Sequence, residues 1–140
     1  MKQRYLTLTN ENTTVDLLTG KFTVKLPWEF TTSETPIKVI EIINFIYFNL
    51  NGQLDVGISC HASFNHDSIE NDQMVCFTTY GSMTPRRFEI RRHLTQFDIW
   101  FKDYKGEPIV PIANRKDLKE ELKDFIGWDE WFILELNLEY

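Results

Sequence analysis

Cysteine is nearly missing from this 140-residue chain, which has only Cys60 and Cys76. Each lies inside an alternating apolar run, so both read as small core residues in a reducing compartment rather than as a disulfide framework. With no neighbouring Cys and no paired His spacing, they make no metal framework either. Glycine is also scarce, 6 in all, and none of it gathers into a phosphate-cradling loop or a Gly-x-Ser-x-Gly elbow. A surplus of basic charge is absent too: 15 Lys and Arg stand against 21 Asp and Glu, for a net charge of -6. The molecule as a whole therefore repels phosphate backbones, and general nucleic-acid binding is disfavoured. The longest apolar region, Ile37 to Leu50, is interrupted by Lys38, Glu41, Asn44 and Asn49 and is too short to span a bilayer. The N-terminal residues contain no apolar secretory core. These features predict a soluble protein made in a cytosol-like environment.

Aromatic residues are plentiful: 11 Phe, 5 Tyr and 4 Trp in a chain that is 42% hydrophobic. Large stiff side chains suit pleated surfaces and interfaces. The length suits one domain over residues 1–140, which would bury roughly two thirds of the surface of its unfolded chain.

Period-2 alternation dominates. Phe97, Ile99 and Phe101 alternate with Asp98, Trp100 and Lys102, and the turn Asp103-Tyr104-Lys105-Gly106 predicts a hairpin back through Pro108-Ile109-Val110. At the C-terminal end Phe132, Leu134, Leu136 and Leu138 share one face, which predicts a closing half-buried strand. Leu6 and Leu8 mark a short first strand, and Val15 to Leu26 reads as a hairpin ended by Pro27. Trp28 to Pro36 reads as a loop. Ile37 to Leu50 carries apolar residues on both parities, as in a central covered strand or one that bends between sheets. Asn51-Gly52 is a strong hairpin signal, predicting that Leu54, Val56, Ile58 and Cys60 run back beside it. His61 to Asp72 reads as a surface loop, Met74 to Thr78 as a strand, and Arg86 to His93 as a strand with a charged face. One helix is expected, Arg115 to Ile126, with Asn114 as N-cap, Leu118, Leu122, Phe125 and Ile126 as its stripe, and Gly127 at its end. About eight or nine strands at this spacing predict a mostly-β antiparallel sandwich or barrel with one short helix.

No constellation announces a chemistry. His61 and His66 with Asp67, Glu70 and Asp72 match no ligand spacing, and a solvated loop explains them better than a metal site. Adjacent Cys60 and His61 point to opposite faces of a strand, so they cannot form a nucleophile-base pair. A cysteine enzyme or small hydrolase is thus the minority reading. Arg86, Arg87, Arg91, Arg92 and His93 form the one basic cluster, read either as edge-strand charges or as contacts to an acidic neighbour. The aromatic candidates are Trp100, Tyr104, Trp128 and Trp131. Singly they read as packing; together they would make an exposed contact patch.

The run Phe97-x-Ile99-x-Phe101-x-Asp103-x-x-Gly106-x-Pro108-Ile109, with Phe132-x-Leu134-x-Leu136 after an insert, resembles the closing strands of single jelly-roll capsid proteins from virophages, polinton-like elements and related DNA viruses. The resemblance implies a jelly roll with no catalytic site and no cofactor, acting in the virion as a penton or minor shell component. Its partners would be itself or other capsid proteins, docked through loops and sheet edges, and the candidate contact residues read from the sequence are Trp100, Tyr104, Trp128, Trp131, Arg86, Arg87, Arg91 and Arg92. No nucleic acid, membrane insertion or small-molecule substrate is expected. The alternative is a carbohydrate-type binding sandwich that stacks Trp or Tyr on a pyranose face.

Overall fold

The computed structural model describes residues 2–27, 36–64, 73–78, 86–116, 118–122, 124 and 127–140, with backbone alone at 73–77, 91, 92 and 122. The described strands form two antiparallel sheets. One runs β1 (Gln3–Thr9), β9 (Trp131–Glu139), β4 (Ile37–Phe48), β7 (Arg86–Arg92). The other runs β2 (Thr14–Val15), β3 (Phe22–Lys25), β8 (Gln96–Lys102), β5 (Ser59–Ser63), β6 (Gln73–Phe77). Apart from the two-residue β2, the strands pair from the outside in: β1 with β9, β3 with β8, β4 with β7, and β5 with β6. This is one long antiparallel hairpin wrapped so that successive pairs fall in opposite sheets, which is the jelly-roll order.

Alternation sets what each strand buries. Phe97, Ile99 and Phe101 of β8 and Phe132, Leu134, Leu136 and Leu138 of β9 are each at most 1% exposed, and they meet in the core. In β4 a bulge between Ile42 and Asn44 switches the parity that faces inward. Ile40 and Ile42 are buried before it, and Phe45 and Tyr47 after it. The bulge, together with β4's central place between β9 and β7, explains why apolar residues fill both parities of the run.

Two expectations are corrected. Asn51-Gly52 does turn the chain, with Gly52 at φ 71° and its N–H donating to the Asn49 carbonyl at 2.9 Å. No β4–β5 hairpin follows, however: after a single bridge between Phe48 and Leu54 the chain crosses to the other sheet, where β5 pairs with β8 and β6. β9 pairs along one edge of β4 and β7 along the other only over Ile37 to Ile42, so beside the second half of β4 the returning chain makes the single Phe48–Leu54 bridge before it leaves. The second correction concerns the helix over Arg115 to Ile126. Among its described residues there is only a single 3-10 turn, Glu120–Leu122. The expected cap is used otherwise: Asn114 donates its side-chain amide to the Leu17 carbonyl, and Arg115 is extended at φ -82°, ψ 129°. Positions 117, 123, 125 and 126 of that span lie outside the described residues, as do 28–35 of the expected Trp28 to Pro36 loop. The Phe97 hairpin is real but short, ending with the Ile109 N–H donating to the Phe101 carbonyl at 2.9 Å.

Gly20 holds two connections together. Its φ is +77°, and an added Cβ would lie 2.3 Å from the Ile109 carbonyl oxygen. Gly20→Ala meets both a left-handed backbone and another segment's backbone, and should destabilise the protein by about 2 kcal/mol. Urea denaturation checks this as a lower midpoint at unchanged slope.

Candidate functional site

Three connections gather at one end of the sandwich: residues 10–21, 49–58 and, among the described residues of the third, 103–116 and 127–130. They touch at Gly20 against Ile109, at Asn114 on the Leu17 carbonyl, and at Gly57, where a Cβ would lie 3.4 Å from Tyr104 Cβ. Six large apolar or aromatic side chains of the described residues are exposed, and five belong to this end: Leu17, Leu18, Leu54, Tyr104 and Trp131. The sixth, Tyr5, is on β1.

Next to these loops the outer face of the β1-β9-β4-β7 sheet is apolar. Ile46 is opposite Ile133 and Phe48 opposite Trp131 on the two central strands, with the Phe48 and Trp131 rings 5.2 Å apart. Phe48, Ile46 and Ile133 are half-buried, and Trp131 is 37% exposed. The other end of the same face is ionic. There the Arg87 guanidinium donates to Glu139 at 2.9 and 3.1 Å and to Glu41 at 3.3 Å, and these bonds hold the Glu139 carboxyl below its usual range. A solvated outer face is ordinarily polar along its length. Here the two central strands are apolar at the loop end, with Thr9 of β1 opposite Ile133 at the margin of the block.

A cleft of about 730 Å³ opens between residues 49–58 and 103–116. Tyr47, Arg115 and Glu130 form its polar floor: the Tyr47 hydroxyl donates to Glu130 Oε2, and the Arg115 guanidinium meets Oε1. Arg115 Nε also donates to the Val110 carbonyl at 2.8 Å. Glu130 is buried, and burial alone pushes its carboxyl up to about 8. The adjoining guanidinium opposes that rise by favouring the ionised form. The trio ties the β8–β9 connection to β4 at a point where neither backbone pairs with the other.

The expected contact residues do not form one patch. Trp131 and Tyr104 are exposed at the loop end. Trp128 is part of the core rim, its ring centroid 4.8 Å from Phe22, with its indole N–H buried and without a hydrogen-bond partner among the described residues. Trp100 lies half-buried on the outer face of the second sheet, with the His61 ring 6.1 Å from it and the Lys21 ammonium 5.1 Å from its centroid. Arg86 and Arg87 are exposed on the edge strand β7, whereas the side chains of Arg91 and Arg92 lie outside the described residues. The surface-loop reading is corrected at His61, which is in β5 and buried because Trp100 is its cross-strand neighbour. His66, Asp67, Glu70 and Asp72 lie outside the described residues.

Cys60 points into the core while His61 points outward, as alternation requires. The partner of His61 is Ser59, two residues away on the same face, with Oγ 2.8 Å from Nε2. This i, i+2 contact was legible in the alternation but had no neighbouring signal to mark it. Both side chains are buried, so the bond lies within the packed surface of the sheet. Register also places Cys76 opposite Cys60. The Tyr47-Arg115-Glu130 trio had no sequence signal, since its members are spread over 84 positions.

The chain matches no protein-family model, no curated protein and no solved structure.

Proposed function

We propose that this chain is a non-enzymatic structural protein, a capsid or capsid-associated jelly roll that acts through self-association, with docking to other shell proteins through the same surface. The observation that carries this reading is the apolar block of Ile46, Phe48, Ile133 and Trp131 on the outer face of a sheet, continuous with exposed Leu54. Contiguous apolar surface on a sheet that faces water marks a contact surface, and tryptophan is the residue most often found at its energetic centre. The jelly-roll strand order and the likeness of the closing strands to shell proteins support placing that contact in a virion. Fold alone would not, because jelly rolls also serve as lectins and cupins.

Trp131→Ala tests the reading. The ring is 37% exposed, so its removal opens no sealed cavity and the fold should remain intact. Association should weaken by about 2 kcal/mol if the ring is a contact anchor. Sedimentation across a concentration series reads this directly. An unchanged association constant in a folded variant would remove Trp131 from the interface.

A further inference from the structure

We infer that the cleft at the loop end binds a neutral saccharide, with one pyranose face on the Tyr104 ring and its hydroxyls bonded to charged side chains of the rim, Asp55 and Lys116 among them. This goes beyond the assembly role and uses a different surface. The cleft's volume of about 730 Å³ is within the range of small-ligand sites. Its lining holds Asp55, Asp103, Glu107 and Glu130 together with Lys105, Arg115 and Lys116, and Arg115 is paired with Glu130, so the rim offers charged groups of both signs. Apolar Val56 and Ile109 line the same cleft. Such a lining suits a ligand that is apolar on its faces and polar along its edges, able both to donate and to accept. A sugar ring has that distribution.

Tyr104 supplies the platform. It is 78% exposed, yet it stands on a preformed turn: the Asp103 carboxylate accepts from the Lys105 and Glu107 N–H groups, each at 2.9 Å. The opposite wall is fixed in the same way, with the Asn49 side chain accepting from Asn51 and Gln53 at 2.9 and 3.1 Å. A turn already fixed in its backbone lowers the ordering cost when a ligand stacks on the ring it carries. The Lys105 ammonium lies 5.6 Å from the ring centroid, which assigns the opposite face to the sugar.

The test is saturation-transfer NMR and titration of the full chain with the methyl glycosides of glucose, galactose, mannose, fucose and N-acetylglucosamine, together with maltose, cellobiose, lactose and chitobiose. One sugar class should bind saturably, with Tyr104→Ala weakening it about tenfold and Tyr104→Phe retaining most of it. Tyr5→Ala and Trp131→Ala, which alter exposed rings outside the cleft, should leave sugar binding unchanged, and Tyr104→Ala should leave the native mass unchanged. No saturable binding across the panel would overturn the inference. So would binding that survives Tyr104→Ala or is lost with Trp131→Ala.

Discussion

Replacing Arg115 with methionine should lower stability by about 3 kcal/mol near neutral pH, because it leaves a buried carboxylate without its cation. Glu130 sits almost wholly inside the loop end, and once the guanidinium is gone the Tyr47 hydroxyl is what remains on its carboxyl among the described residues. Burial then acts unopposed and raises the carboxyl from 4.5 towards about 8. Between those two values Glu130 of the folded variant binds more proton than in the unfolded chain, so this group's contribution to stability is greatest below about pH 4.5 and falls as pH rises towards about 8. Urea midpoints measured across that window should show a steeper fall for Arg115→Met than for the parent. Arg115→Met combined with Glu130→Leu should recover most of the loss, since a buried pair exchanged for apolar groups is often near neutral. Equal pH slopes for parent and Arg115→Met would show that the pair does not govern the carboxyl.

Phe101→Ala should cost about 4 kcal/mol, at the upper end of what single core truncations do. Phe101 is wholly buried and stands where the two sheets meet: on one side its ring lies 5.7 Å from Phe22, and on the other 5.6 Å from Phe45 and 4.8 Å from Phe132. Its parallel stacking on Phe45, with an interplanar angle of 4°, and its edge contact to Tyr47 at 5.3 Å bind the second sheet to β4. Tyr47 in turn holds Glu130, so a cavity at Phe101 also loosens the floor of the cleft. Phe101→Leu refills most of the volume and should cost about 1 kcal/mol. Denaturant midpoints separate the two. A small, equal effect from both would mean that the core closes over the missing ring.

Much of this fold was legible because alternation is a local property. Phe97 to Phe101 and Phe132 to Leu138 named their buried faces correctly, and each strand needed only its own residues to do so. Pairing is not local. Asn51-Gly52 turned the chain as its chemistry requires, yet after one bridge to Phe48 the chain left for the other sheet, where β5 pairs with β8 and β6. The helical stripe in 115–126 likewise met a competing demand, the tie from Asn114 to Leu17 and from Arg115 to Glu130. The loop-end site was legible only in part. Tyr104 and Trp131 stood out as large rings beside turns, but Ile46 and Phe48 were hidden inside a run that looked buried on both sides. Only the bulge at Ile42/Asn44 shows which of them face outward.

The most direct measurement is the native mass of the parent chain and of Trp131→Ala by light scattering over a wide range of protein concentration and salt. Association through the Ile46-Phe48-Ile133-Trp131 block predicts a discrete oligomer of the 16.7 kDa chain that dissociates on dilution and survives salt, with the variant shifted towards monomer at every concentration. A parent chain that stays monomeric at all concentrations, with the variant indistinguishable from it, would contradict self-association through this face.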